Sequence, residues 1–102
     1  MSPSKSSVNK DEVAKFTAIA DKWWDETGAF KPLHIINPVR LKFIAEQISP
    51  KSKILDVGCG GGLVSIPLSN QGHDVLGIDA GSENIKVASL QAGRTGSKAK
   101  FQ

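Results

Sequence analysis

The chain has 102 residues, 39% of them hydrophobic and 23% charged, which is ordinary usage for a soluble globular domain. No apolar run approaches the ~20 residues of a membrane-spanning helix, and a net charge of +3 is too small and too scattered to argue for nucleic acid as a partner. The single cysteine, Cys59, excludes an internal disulfide framework and fits a reducing compartment, so a cytoplasmic location is expected.

Met1 to Ser7 is short and polar, without the apolar core of a secretory signal, and residues 1–8 read as a disordered tail. Asn9-Lys10-Asp11-Glu12 sets an N-cap residue three positions before an acid, which starts a helix. Val13, Phe16, Ala20, Trp23 and Trp24 then recur at helical spacing and give it one strongly apolar face. Neighbours on a helix diverge by about 100°, so one of the two tryptophans is expected to face a second surface, such as the mouth of a site.

Thr27-Gly28 breaks this helix, and Phe30 to Ile36 reads as an irregular linker containing Pro32. Asn37-Pro38 reads as an N-cap with proline at the first position of a second helix. Leu41, Ile44, Ala45 and Ile48 should be its buried stripe, and Ser49-Pro50 its end. Arg40 falls in the first turn, where a cation opposes the helix dipole; a specific partner and plain solvation are both open at this stage. Residues 9–50 thus form a helical lead-in.

Residues 51–102 change character. Lys53–Val57 is a short apolar strand that carries a carboxylate, Asp56, and runs into Gly58, Gly60, Gly61 and Gly62. Leu63 to Gln71 reads as a helix with Gly72 as its stop, although Pro67 should remove a hydrogen bond near its start. Asp74–Asp79 is a second strand ending in an acid, which completes a β-α-β unit, and a third strand begins near Ala99–Gln102. The expected fold is α/β, Rossmann-like: the first part of a doubly wound, mostly parallel sheet that needs more strands than this chain supplies.

In such a unit ligands lie beyond the carboxyl ends of the strands, and glycines let a ligand rest directly on the backbone. A dinucleotide fingerprint would be G-x-G-x-x-G, but here the spacing from Gly58 is G-x-G-x-G, and Leu63 stands at the last glycine's place. Asp56 would also repel a pyrophosphate. It suits a ligand with a positive end, such as the ammonium and sulfonium of S-adenosylmethionine. Asp79 follows Gly62 by 17 positions, about where a second-strand acid reaches ribose hydroxyls. Cofactor-binding residues are therefore expected at Asp56, Gly58, Gly60 and Asp79; Cys59 reads as a small loop residue and not as a nucleophile.

The motif D-x-G-x-G-x-G resembles the first motif of class I methyltransferases. Trp23-Trp24-Asp25, Phe30-Lys31-Pro32-Leu33-His34 and Ile36-Asn37-Pro38-x-Arg40-Leu41 narrow the likeness, and Glu83-Asn84-Ile85-x-Val87-Ala88 continues it. Over residues 12–102 the chain resembles the ubiquinone-biosynthesis O-methyltransferases. That resemblance implies S-adenosylmethionine contacts at Arg40, Gly58 and Asp79, and tips Arg40 towards the cofactor carboxylate. It implies methylation of a polyprenylated hydroxyphenol and of 3-demethylubiquinol, with association at the inner face of the membrane or with other enzymes of the pathway. Ile35 departs from the arginine many members carry there. The family's glutamate- and histidine-containing segment, which holds a divalent metal in some members, would lie beyond Gln102, so no metal ligand is assigned in this chain. No residue is a convincing catalytic base, since His34 reads as structural and His73 lies away from the strand carboxyl ends. The alternatives are another small-molecule methyltransferase of this fold, a truncated inactive product and, more remotely, a nicotinamide oxidoreductase.

Overall fold

A computed structural model describes residues 10–102, so the reading of residues 1–8 as a tail and of Asn9 as a cap lies outside the described residues. The elements are α1 (Lys10–Trp24), α2 (Lys31–Gln47), β1 (Lys53–Val57), α3 (Ser65–Asn70), β2 (Asp74–Ile78), α4 (Ser82–Thr95) and β3 (Lys100–Phe101). The three strands form one parallel sheet in the order β1-β2-β3, with Lys53 opposite Asp74, Val57 opposite Ile78, and Gly77 opposite Phe101. Parallel strands need a crossover between them. Here α3 supplies the first and α4 the second.

Alternation along the strands decides which face of the sheet is covered. Ile54 and Val75 lie side by side and pack with Ile66, Leu68, Ala92 and Ala99 in the principal core. The opposite face carries Leu55 and Val57, which stay 57% and 72% exposed. β1 is also an edge strand, its second side unpaired among the described residues. A smaller core joins α1 to α4 through Phe16, Ala20 and Val87. Around it run the exposed ion pairs Lys15–Glu83, Lys86–Glu12 and Arg94–Asp21. Exposed pairs of this kind contribute at most about 1 kcal/mol each, so burial of the apolar residues is what seats α1.

The lead-in departs from expectation between Phe30 and Pro38. The stretch read as an irregular linker is the first part of α2: the helix starts at Lys31, with Pro32 in its first turn, where a missing N–H costs nothing. Leu33 N and His34 N both donate to Phe30 O, at 2.9 and 3.2 Å. Asn37-Pro38 is consequently interior to the helix and not its start. Proline there gives up the bond to the His34 carbonyl, and Asn37 is free to use its amide for tertiary contacts. The stripe assigned to α2 is also less buried than expected: Leu41, Ile44 and Ile48 are half-buried, and Ala45 is exposed. Asn37 is the buried residue of this helix.

The remaining differences are at element ends. α3 begins at Ser65 and not Leu63, because Gly62 and Leu63 still belong to the loop that precedes it. β2 ends at Ile78, one residue before Asp79, whose carboxylate turns back to the loop, and β3 is limited to Lys100–Phe101. Gly72, left-handed at φ 101°, makes the turn from α3 into β2 as its position suggested.

Candidate functional site

The two strands deliver their ends to the same place. Gly58 N and Cys59 N both donate to the Ile78 carbonyl, at 2.8 and 3.0 Å, folding the glycine loop across the end of β2. Gly58 (φ 73°) and Gly60 (φ 55°) take left-handed backbone, which a side chain would strain. A Cβ added at Gly58 would meet nothing within 4 Å among the described residues, so its outer surface is open for a ligand to approach.

Asp79 locks this loop. One carboxylate oxygen accepts from Gly60 N at 2.9 Å; the other accepts from Gly81 N at 2.7 Å and from Asn84 Nδ2 at 3.3 Å. The Gly81 and Gly60 amides, followed by the Asn84 side chain, hold its pKa below the ordinary carboxylate value. Three donors leave a carboxylate with acceptor capacity to spare. Asp56 accepts from the buried Ser65 hydroxyl at 2.6 Å, so the first turn of α3 fixes the second acid.

The lead-in grips the loop from the other side at successive residues. The Trp23 ring is sandwiched between Phe30, stacked at 4.3 Å between centroids, and the backbone of Gly60 and Gly61. Trp24 Nε1 donates to Gly61 O at 3.1 Å while its ring packs on the principal core. Asn37 Nδ2 donates to Leu63 O at 2.7 Å. The two tryptophans do diverge in packing, as helical geometry requires, yet both end on one loop. Asp25 closes the turn after them by accepting from Thr27 N and Thr27 Oγ1, each at 2.9 Å.

Between α2 and the loop lies a cleft of about 270 Å³ whose lining includes Trp23, Leu33, Arg40, Asp56, Gly58 and Gly60. Four of the five expected site residues thus share one concavity. Asp79 does not line it but is tied to it through Gly60. Arg40 reaches the cleft with one Nη donating to Asn37 Oδ1 at 2.7 Å, and its buried Nε has no partner among the described residues. A buried guanidinium N–H without an acceptor is unfavourable, and the guanidinium as a whole offers the cleft a fixed positive charge for an anionic group. Cation on one wall and carboxylate on another make the cleft complementary to a zwitterionic ligand. A wider cavity of about 750 Å³ lies between α4 and the sheet, with Asp74, Leu76, Lys100 and Phe101 in its lining and none of the expected site residues.

The remaining candidates have structural partners. His34 Nε2 lies 2.8 Å from Trp23 O and its ring sits edge-on to Trp24. His73 is buried and its Nδ1 accepts from Ser52 N at 3.0 Å. Burial, and then the charges of Asp56 and Asp79, push the Cys59 thiol up to about 11, which makes it a poor nucleophile at neutral pH. Sequence reasoning missed the tertiary role of Asn37, because Asn before Pro is also a favoured start of a helix. It also missed that Gly60 and Gly61 make room for Trp23; the adjacent tryptophans were the available signal.

Residues 54–102 match the model of the methyltransferase domain family. Among solved structures the chain is similar to a TehB-like SAM-dependent methyltransferase from Corynebacterium glutamicum, with a TM-score of 0.59 and 30% identity over 87% of this chain and 44% of that one. The class is therefore that of the Rossmann-like methyltransferases, α/β with a parallel sheet. Among curated proteins, a ubiquinone biosynthesis O-methyltransferase of Colwellia psychrerythraea is 45% identical over 100% of this chain and 46% of its own length. The protein of that name from Escherichia coli is 47% identical over 93% of this chain and 40% of its own. The chain is thus similar over nearly all of its length to ubiquinone biosynthesis O-methyltransferases, and it spans less than half the length of these relatives.

Proposed function

We propose that these residues form the cofactor-binding part of an S-adenosylmethionine-dependent O-methyltransferase of ubiquinone biosynthesis, acting on a polyprenylated hydroxyphenol and on 3-demethylubiquinol. The observation that carries the reading is the cleft itself: Arg40 with its unpartnered buried Nε, Asp56 opposite in charge, and Gly58 with open backbone. These residues fit S-adenosylmethionine. Arg40 would hold its carboxylate, Asp56 would favour its positive end, Gly58 and Gly60 would let it lie on the loop, and Asp79 would accept from its ribose. The names of the matched relatives support the substrate class.

When bound, the cofactor supplies an activated methyl group for in-line displacement by the acceptor oxygen. The work of this chain is orientation and exclusion of water. Trp23 and Trp24 keep the loop in one shape, Asp79 ties it to the end of β2, and Arg40 fixes one end of the ligand. A phenol ionises near pH 10, as tyrosine does, so its proton must be removed or its oxygen stabilised. His34 and His73 are committed to backbone partners, so neither is assigned as the base.

Prenylated substrates lie in membranes. No helix of the described residues is long and apolar enough to cross one, and we infer action from the cytoplasm, at the inner membrane face and alongside other enzymes of the pathway. The test is methyl transfer from labelled S-adenosylmethionine to a 3-demethylubiquinol analogue by the complete protein. Transfer to the quinol oxygen is expected, and transfer only to unrelated small acceptors would contradict the substrate assignment.

A further inference from the structure

Asn37 sits mid-helix, 8% exposed, beside residues of α2 that are half or fully exposed. A buried amide costs free energy unless both of its ends are bonded. Here both are. The Leu63 carbonyl can only accept, so it takes Nδ2 at 2.7 Å and turns Oδ1 towards Arg40, which donates an Nη to it at 2.7 Å. One side chain therefore joins the end of the glycine loop to the guanidinium. Arginine is rich in rotamer freedom, and a single anchored Nη removes much of it while the side chain still lines the cleft.

We propose that Asn37 is a positioning residue: it sets the Arg40 guanidinium at a fixed place relative to the glycine loop, so that its remaining N–H groups meet an anionic ligand without reordering. The proposal rests on the reading of Arg40 as the residue that holds the cofactor carboxylate. Its test is a double-substitution cycle in the complete protein, read by calorimetric affinity for S-adenosylhomocysteine, with thermal melting recorded for each variant.

Asn37→Ala should weaken binding about tenfold when Arg40 is present and less than twofold in an Arg40→Ala background. Equal losses in both backgrounds would overturn the proposal alone, because Asn37 would then act on the loop and not through Arg40. An Arg40→Ala protein with unchanged affinity would overturn the reading of Arg40 itself, and the proposal with it. Should Asn37→Ala fail to fold, Asn37→Ser replaces it in the same cycle, since a helical serine hydroxyl can bond back to its own helix. Retention of wild-type affinity in either folded variant contradicts the assignment.

Discussion

Trp23 lies flat against Gly61: a Cβ at position 61 would stand 2.6 Å from the indole Cδ2 and 2.7 Å from Cγ, closer than side chains approach. This glycine is kept small by an aromatic ring of the lead-in and not by a ligand. Gly61→Ala should therefore destabilise the fold by about 1–3 kcal/mol, the usual cost of overpacking. Gly93, in α4 with nothing near its absent Cβ, should behave in the opposite sense, with Gly93→Ala stabilising by about 0.4–1 kcal/mol. Denaturant melts of the two variants check both. Equal effects would mean that Trp23 does not press on the loop.

The Asp79 carboxylate is held below its ordinary value of 3.8 by donors from Gly81, Gly60 and Asn84. With the folded value lower than the unfolded one, its contribution to stability is fully present above pH 3.8. It is lost as pH falls through the lowered folded value. Acid titration should therefore show the Gly60 and Gly81 amide resonances shifting together below pH 3.8, and Asp79→Asn should lack that step. A titration of Asp79 above its ordinary value would contradict the hydrogen bonds described.

Cys59 gives a chemical test of the loop's enclosure. Its thiol is buried beside two carboxylates and pushed up to about 11 from an ordinary 9.0. Alkylation by iodoacetamide should be slow at neutral pH and accelerate only well above pH 9. Rapid labelling at pH 7 would show that the loop opens.

Much of this architecture is legible in the amino-acid order, and the failures share a cause. β1 falls on its predicted residues, because a short apolar run between Pro50 and the glycines has few other ways to fold. Arg40, Asp56, Gly58 and Gly60 are found around one cleft, since the β-α-β unit must bring a loop and its neighbours to the strand ends. α2 was misread because Pro32 and Asn37-Pro38 both offer legitimate helix starts. Local rules cannot tell which one the tertiary bond from Asn37 to Leu63 O will select. The exposure of Ala45 and the half-burial of its neighbours were likewise out of reach, because a helical stripe shows which face is apolar and not what covers it.

The uncovered apolar surface leads to a prediction about the 102 residues taken alone. Among the described residues Leu55 and Val57 project from an uncovered sheet face, and β1 offers an unpaired edge. Such an edge is a template for association, and a half-covered sheet buries little area against chain entropy. The isolated chain should bind a hydrophobe-sensitive dye, melt broadly and transfer no methyl group. A monomeric chain with a cooperative melt and turnover would refute this.

The central claim is that the cleft between α2 and the glycine loop holds S-adenosylmethionine, and calorimetric titration of the complete protein tests it most directly. Wild-type protein should bind one equivalent. Arg40→Ala should bind about 5–150-fold more weakly, the range for a charged group left without its partner. Gly58→Val should not bind at all, because its side chain would fill the open surface of the loop. Undiminished binding by a folded Gly58→Val protein would contradict the account.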